Sequence, residues 1–169
     1  EEAKYVGEKL FLRQTGDSLI ATYDDNGYFC LNNMHVINLL PNGAQYSLKY
    51  ILGLLNSKLL NCYYHLVSLE LGRAMAQTDI ETIEKLPIRA IDFSDPSDKA
   101  HYDKMVELVQ RMLDLHKQLA AAETEHEKTV LQRQIAVTDR QIDQLVYELY
   151  GLSNKEIKTV ERFGREAKE

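Results

Sequence analysis

Cysteine is nearly missing from this 169-residue chain, which has only Cys30 and Cys62. Two thiols build neither a disulfide framework nor a four-ligand zinc site, so each reads as a small buried apolar group. Proline and glycine are scarce too, at three and eight residues. That scarcity excludes long flexible linkers and leaves room for long helices. No stretch reaches the roughly 18 to 20 continuous apolar residues of a membrane span, and Glu1-Glu2-Ala3-Lys4 has neither the basic nor the apolar part of a signal peptide. A cytoplasmic location is the expectation. Basic charge is in deficit as well, with 20 Lys and Arg against 26 Asp and Glu. Residues 1–93 hold eight basic and eleven acidic groups, so no basic domain hides within the net charge of −6. Nonspecific affinity for nucleic acid comes largely from Lys and Arg neutralising phosphates, which weighs against a free-standing phosphate binder. A module tethered to a larger clamp tolerates such a deficit.

What is present is ordinary for a globular chain: 44% hydrophobic and 27% charged residues. Lys9 to Arg13 and Ser18 to Tyr23 are rich in Leu, Phe, Ile, Thr and Tyr, with Thr15-Gly16-Asp17 between them as a turn, which predicts a hairpin. Asp24-Asp25-Asn26-Gly27 supplies a second turn, and Tyr28 to Leu31 and Met34 to Leu40 read as strands interrupted at Asn32-Asn33. Pro41-Asn42-Gly43 ends this mostly antiparallel sheet. Ser47 then offers an N-cap to one helix whose apolar residues run Leu48, Ile51, Leu52, Leu55, Leu59, Cys62, Tyr63 and Leu66. Its stripe is expected to cover one face of the sheet. Leu69 to Thr78 has no clear period, and Leu86-Pro87-Ile88 reads as a short edge strand or extended segment.

Asp95-Pro96-Ser97-Asp98 is a helix start, and Met105, Leu108, Met112, Leu115 and Leu119 follow it at alternating three- and four-residue spacing. Leu131, Ile135, Thr138, Ile142, Leu145 and Leu149 form a second such seam. The twelve positions between the two seams rotate the stripe by about 120°, so one straight helix cannot keep both on one face. A break near Ala120 to His126 and a long antiparallel, coiled-coil-like hairpin are expected, with one continuous bent helix as the alternative. Gly151 suits the C′ position, and Asn154 to Arg162 suits a short terminal helix. The fold class is α+β: a small sheet with a packed helix over 1–94, the hairpin over 95–150 and a terminal helix or tail over 151–169.

The order is distinctive. A small sheet containing Leu19-Ile20-Ala21-Thr22-Tyr23-Asp24 precedes Tyr46-Ser47-Leu48-Lys49-Tyr50-Ile51-Leu52-Gly53-Leu54-Leu55-Asn56-Ser57-Lys58-Leu59. Then come Leu86-Pro87-Ile88 and paired helices ending Ile142-Asp143-Gln144-Leu145-Val146-Tyr147-Glu148-Leu149-Tyr150-Gly151-Leu152. From Leu10 to about Val160 this resembles the TaqI-like carboxy-terminal specificity domain of type II and type IIG restriction-modification methyltransferases. The resemblance implies a target-recognition module for double-stranded DNA, following an adenine-specific methyltransferase domain that binds S-adenosylmethionine. The chain would then be a fragment with no catalytic site and no cofactor of its own. Its three prolines stand far apart, so the Asp/Asn-Pro-Pro-aromatic loop that holds a flipped adenine is not in this sequence, nor is a Gly-rich cofactor loop. The sequence departs from the family in Leu69 to Thr78, where more Gly and basic residues than Gly72 and Arg73 are expected near DNA.

Reading base edges in the major groove takes forked donors and acceptors. Arg13, Gln14, Thr15, Asn32, Asn33, Arg73, Gln77 and Thr78 fall at strand ends or in irregular segments, where a scaffold projects them. Lys58 is a candidate phosphate contact. The plainer reading is that such residues cap backbone groups, form a bulge at Asn32-Asn33, or face water. Cys62 and His65 lie one helical turn apart, but two further metal ligands at suitable spacing are missing. Asp95, Asp98 and Lys99 resemble a nuclease cluster, yet a helix amino terminus needs the same cap and first-turn acids. Tyr46, Tyr50, Tyr63 and Tyr64 suit core packing better than base stacking. The helical pair serves either as an internal brace or as a homodimer seam. A coiled-coil adaptor with no nucleic-acid role is the rival reading.

Overall fold

A computed structural model of the chain describes residues 6–40, 45–68, 70, 73 and 76–166, the side chains of 164–166 excepted. Pro41-Asn42-Gly43 lies outside the described residues, as do five positions of the irregular 69–78 stretch. Two compact units are present: Glu1–Ile88 with Leu152–Glu169, and Arg89–Gly151.

The first unit is built on three antiparallel strands, β1 (Lys9–Arg13), β2 (Ala21–Asp24) and β3 (Met34–Ile37), in the order β2-β1-β3. Leu10 faces Tyr23 on one side and Ile37 on the other, which sets the register. Lys9, Leu10, Phe11 and Leu12 are all buried, as in a central strand covered on both faces. Helix α1 (Leu48–Leu55) packs on β1 and β2, and Ser47 Oγ caps it by accepting from Lys49 N. The expected α+β class and the packed helix are therefore present.

Two expectations are corrected here. Tyr28 to Leu31 is not a strand, because Asp24 Oδ1 and Oδ2 accept the backbone N–H groups of Asn26 and Tyr28 and wrap the chain around the carboxylate. β propensity loses to that local bond. The predicted single helix from Ser47 is two, α1 and α2 (Lys58–Ser68). Asn56 sits at the break and grips β2 at both backbone groups of Ala21, accepting from N at 2.8 Å and donating to O at 2.9 Å. Ser57 Oγ donates to Leu54 O and accepts from Leu60 N, so one hydroxyl serves both helix ends. Asn61 Oδ1 accepts Leu19 N and pins the chain just before β2.

A short helix, α3 (Ile80–Glu84), starts at Asp79, whose carboxylate accepts Thr82 N. Leu86-Pro87-Ile88 is not an edge strand or an extended segment but a tight turn, in which Ile88 N donates to Leu86 O at 2.9 Å. Cys30 and Cys62 are half-buried rather than buried, and neither is in a disulfide. Burial pushes the Cys62 thiol pKa up.

The second unit holds α4 (Pro96–Ala121) and α5 (Glu125–Leu149), packed along the predicted seams. Asp95 caps α4, and Thr124 with Glu127 forms a complete capping box at the break. Met105, Leu108 and Leu115 face Thr138, Ile142, Leu145 and Leu149 in the buried stripe, while Met112, Leu119, Leu131 and Ile135 are only half-buried. At the base of the hairpin Arg89 N donates to Tyr150 Oη, Arg89 Nε to Leu149 O, and Arg89 Nη2 to both oxygens of Asp98. Burial is the main cause that pushes the Tyr150 phenol pKa up, against the opposing Arg89 charge. Gly151, at φ +64°, closes α5 in a conformation that other residues seldom adopt. Helix α6 (Asn154–Glu166) belongs to the first unit and packs on α2.

Candidate nucleic-acid interface

The residues beyond β1 are held by backbone bonds rather than by a hairpin turn. Gln14 N donates to Asn33 O at 3.0 Å, Thr78 N to Gln14 O at 2.7 Å, and Gly16 N to Ala76 O at 2.9 Å. Thr15 and Gln77 form an antiparallel bridge. Three segments remote in sequence, 13–17, 32–33 and 76–78, therefore meet at one end of the sheet. Arg13, Thr15, Gly16, Asp17, Arg73, Ala76 and Gln77 line a cleft of about 420 Å³ there.

Seven of the nine candidate residues gather at this end. Thr15, Asn33, Arg73 and Gln77 are exposed, and Arg13 and Gln14 half-exposed. Thr78 is only 1% exposed, its carbonyl bonded to His35 Nε2 at 2.6 Å. It holds the backbone and presents no side chain outward. Asn32, exposed in the turn before β3, adjoins the group. Lys58 stands apart, where its ammonium donates to both oxygens of Glu161, joining α2 to α6.

Within the cleft the two arginines differ. Arg73 is ion-paired with Glu70, whose other oxygen accepts Gln77 N at 3.2 Å. The Arg13 side chain makes no hydrogen bond or ion pair among the described residues, and its Nε is buried without a partner. Sequence reasoning named both residues but had no means to separate them, because Glu70 is distinguished only by its placement.

Most other chemistry-bearing groups have structural contacts, but Tyr63 is exposed rather than packed in the core as expected, and His65 Nδ1 is buried without a partner among the described residues. His65 Nε2 lies 3.2 Å from Ser18 Oγ, and its ring packs at 5.6 Å from that of Phe163. Among the described residues no three of His, Cys, Asp and Glu stand together as a metal site. Asp95 is a cap, Asp98 is tied to Arg89, and Lys99 pairs with Asp103. Tyr50 and Tyr64 are wholly buried, and Tyr46 packs on Tyr50 at 6.0 Å. No helix among the described residues is long and apolar enough to cross a membrane.

The TaqI-like C-terminal specificity domain is the family whose model matches residues 1–88. RM.Eco57I, a type II restriction enzyme and methyltransferase of Escherichia coli, is 32% identical over 130 residues. That alignment takes in 75% of this chain but 13% of the relative.

Proposed function

Because the chain belongs to the TaqI-like C-terminal specificity domain family, we propose that it is the sequence-specific DNA recognition module of a restriction-modification methyltransferase. The catalytic domain, adenine-specific and binding S-adenosylmethionine, would lie elsewhere in the full-length protein, and this chain would contribute no reacting group. The observation that carries this reading is the convergence of Arg13, Gln14, Thr15, Asn33, Arg73 and Gln77 at one end of the sheet, inside the stretch that matches the family. Donors and acceptors of these types, held by backbone bonds on a rigid sheet, suit base-edge readout. The acidic balance of the chain fits a division of labour in which phosphate contacts come from other parts of the protein.

The α4–α5 hairpin supplies no base contact in this reading. Part of its apolar seam is buried against its own partner helix, while Met112, Leu119, Leu131 and Ile135 stay half-buried and Val130 and Val137 exposed.

The test is the methylation pattern of the full-length protein carrying Arg13→Ala, Gln14→Ala or Arg73→Ala. A changed set of modified sites with intact cofactor binding supports the reading. All three variants modifying the same sites at unchanged rates would contradict it.

A further inference from the structure

Resting on that reading, we propose that Arg13 is the guanine-reading residue of the cleft, so that the DNA target contains a G·C pair recognised through one guanidinium. Among the described residues three charged side chains line the cleft: Arg13, Arg73 and Asp17. Arg73 is mostly exposed and ion-paired with Glu70. Asp17 Oδ1 accepts the hydroxyl of Ser18. Among the described residues Arg13 has no such partner, and its Nε–H is buried without an acceptor. A buried donor with no acceptor is costly, and a ligand that supplies the acceptor removes that cost.

The fork packs against Gly16. Its φ of +130° excludes ordinary side chains, and a Cβ there would overlap Arg13 Nη2 and stand 3.1 Å from Cζ. The guanidinium therefore lies against a bare backbone. Its backbone N is also anchored, donating to Ile20 O at 2.9 Å.

Charge decides what the fork receives. Arg13 and Arg73 are offset by Asp17 and Glu70, so the cleft has no excess positive charge to draw a phosphate, which would also meet the Asp17 carboxylate. A neutral edge with two acceptors at fork spacing meets no such penalty. Guanine offers O6 and N7 in that arrangement, whereas adenine places an amino donor beside N7 and leaves one guanidinium N–H facing another donor. The carboxylate of Asp17 suits the amino group of the paired cytosine.

The experiment is selection of bound duplexes from a randomised library by the full-length protein, with libraries synthesised from dGTP or from 7-deaza-dGTP, which removes N7. The wild-type protein is expected to require guanine at one position by on the order of 10- to 100-fold, and to lose that requirement in the 7-deaza library. Arg13→Lys and Gly16→Ala are expected to become indifferent at that position while keeping the preferences at all others. Equal loss of binding across all sequences, or an unchanged guanine requirement, would overturn the proposal. If Gln14→Ala or Asn33→Ala alters preference while both Arg13→Lys and Gly16→Ala leave it intact, the module reads DNA but Arg13 does not. If no cleft variant alters any preference, DNA reading itself fails.

Discussion

Lys9 Nζ stands 2.5 Å from Asp24 Oδ2, and both side chains are shut away from water, on neighbouring strands in direct register. The ammonium also lies 5.4 Å from the ring centre of Phe11. Asp24 in turn holds the chain that follows, through Asn26 N and Tyr28 N. Burial alone would raise its carboxyl pKa, but hydrogen bonds from Lys9 and these two amides outweigh it and hold the carboxyl below its usual range. Removing one partner of a buried pair strands the other, so Asp24→Asn or Lys9→Met is expected to cost about 3–5 kcal/mol by denaturant titration. The double apolar replacement should cost less than either.

The same carboxyl gives a pH dependence of defined sign. A depressed folded-state value means that the unfolded chain binds the proton first, so Asp24 stabilises fully above the unfolded value of about 3.9. That contribution is lost as pH falls through the lower folded value. Acid titration of the wild-type fold should show the loss, and in Asp24→Asn it should be reduced.

Asn56 acts as a clamp between α1 and β2. Asn56→Ala leaves Ala21 N without its side-chain acceptor and is expected to cost about 1–2 kcal/mol, given partial solvent access at the site. Asn56→Asp keeps the acceptor and loses only the donor, so thermal melting should rank it between wild type and Asn56→Ala.

At the hairpin exit, Gly151→Ala forces a side chain into the left-handed region at φ +64°. A loss of about 1–2 kcal/mol is expected in melting experiments. Gly151→Asn should lose less, since Asn tolerates that region.

Much of the fold is written locally. The seams of α4 and α5, the break at Thr124, the caps at Ser47 and Asp95 and the closing Gly151 depend on residues within a turn or two of one another, and each is where the spacing puts it. The Asn56 break was hidden because its cause is Ala21, 35 residues away, while Leu48 to Leu66 keeps an unbroken helical period. Helix α3 carried a readable signal in Asp79 and Thr82, which the loop-like composition before it masked. Strand propensity over Tyr28 to Leu31 lost to the carboxylate of Asp24, whose reach depends on being anchored by Lys9. At the site, residue types were legible and their convergence was not. The Thr15–Gln77 bridge, the Arg73–Glu70 pair and the Lys58–Glu161 pair separate residues that look alike in sequence into a cleft face, a fastener and a remote tie.

The central claim is that the end of the sheet at Gln14, Thr15 and Gln77 touches base edges. Photocrosslinking from p-benzoylphenylalanine placed at Gln77 in the full-length protein measures this most directly. The account predicts adducts mapping to bases inside the target site, on target duplex and not on duplex lacking the site. Adducts absent from position 77 on target duplex, or spread evenly over any DNA, would contradict it.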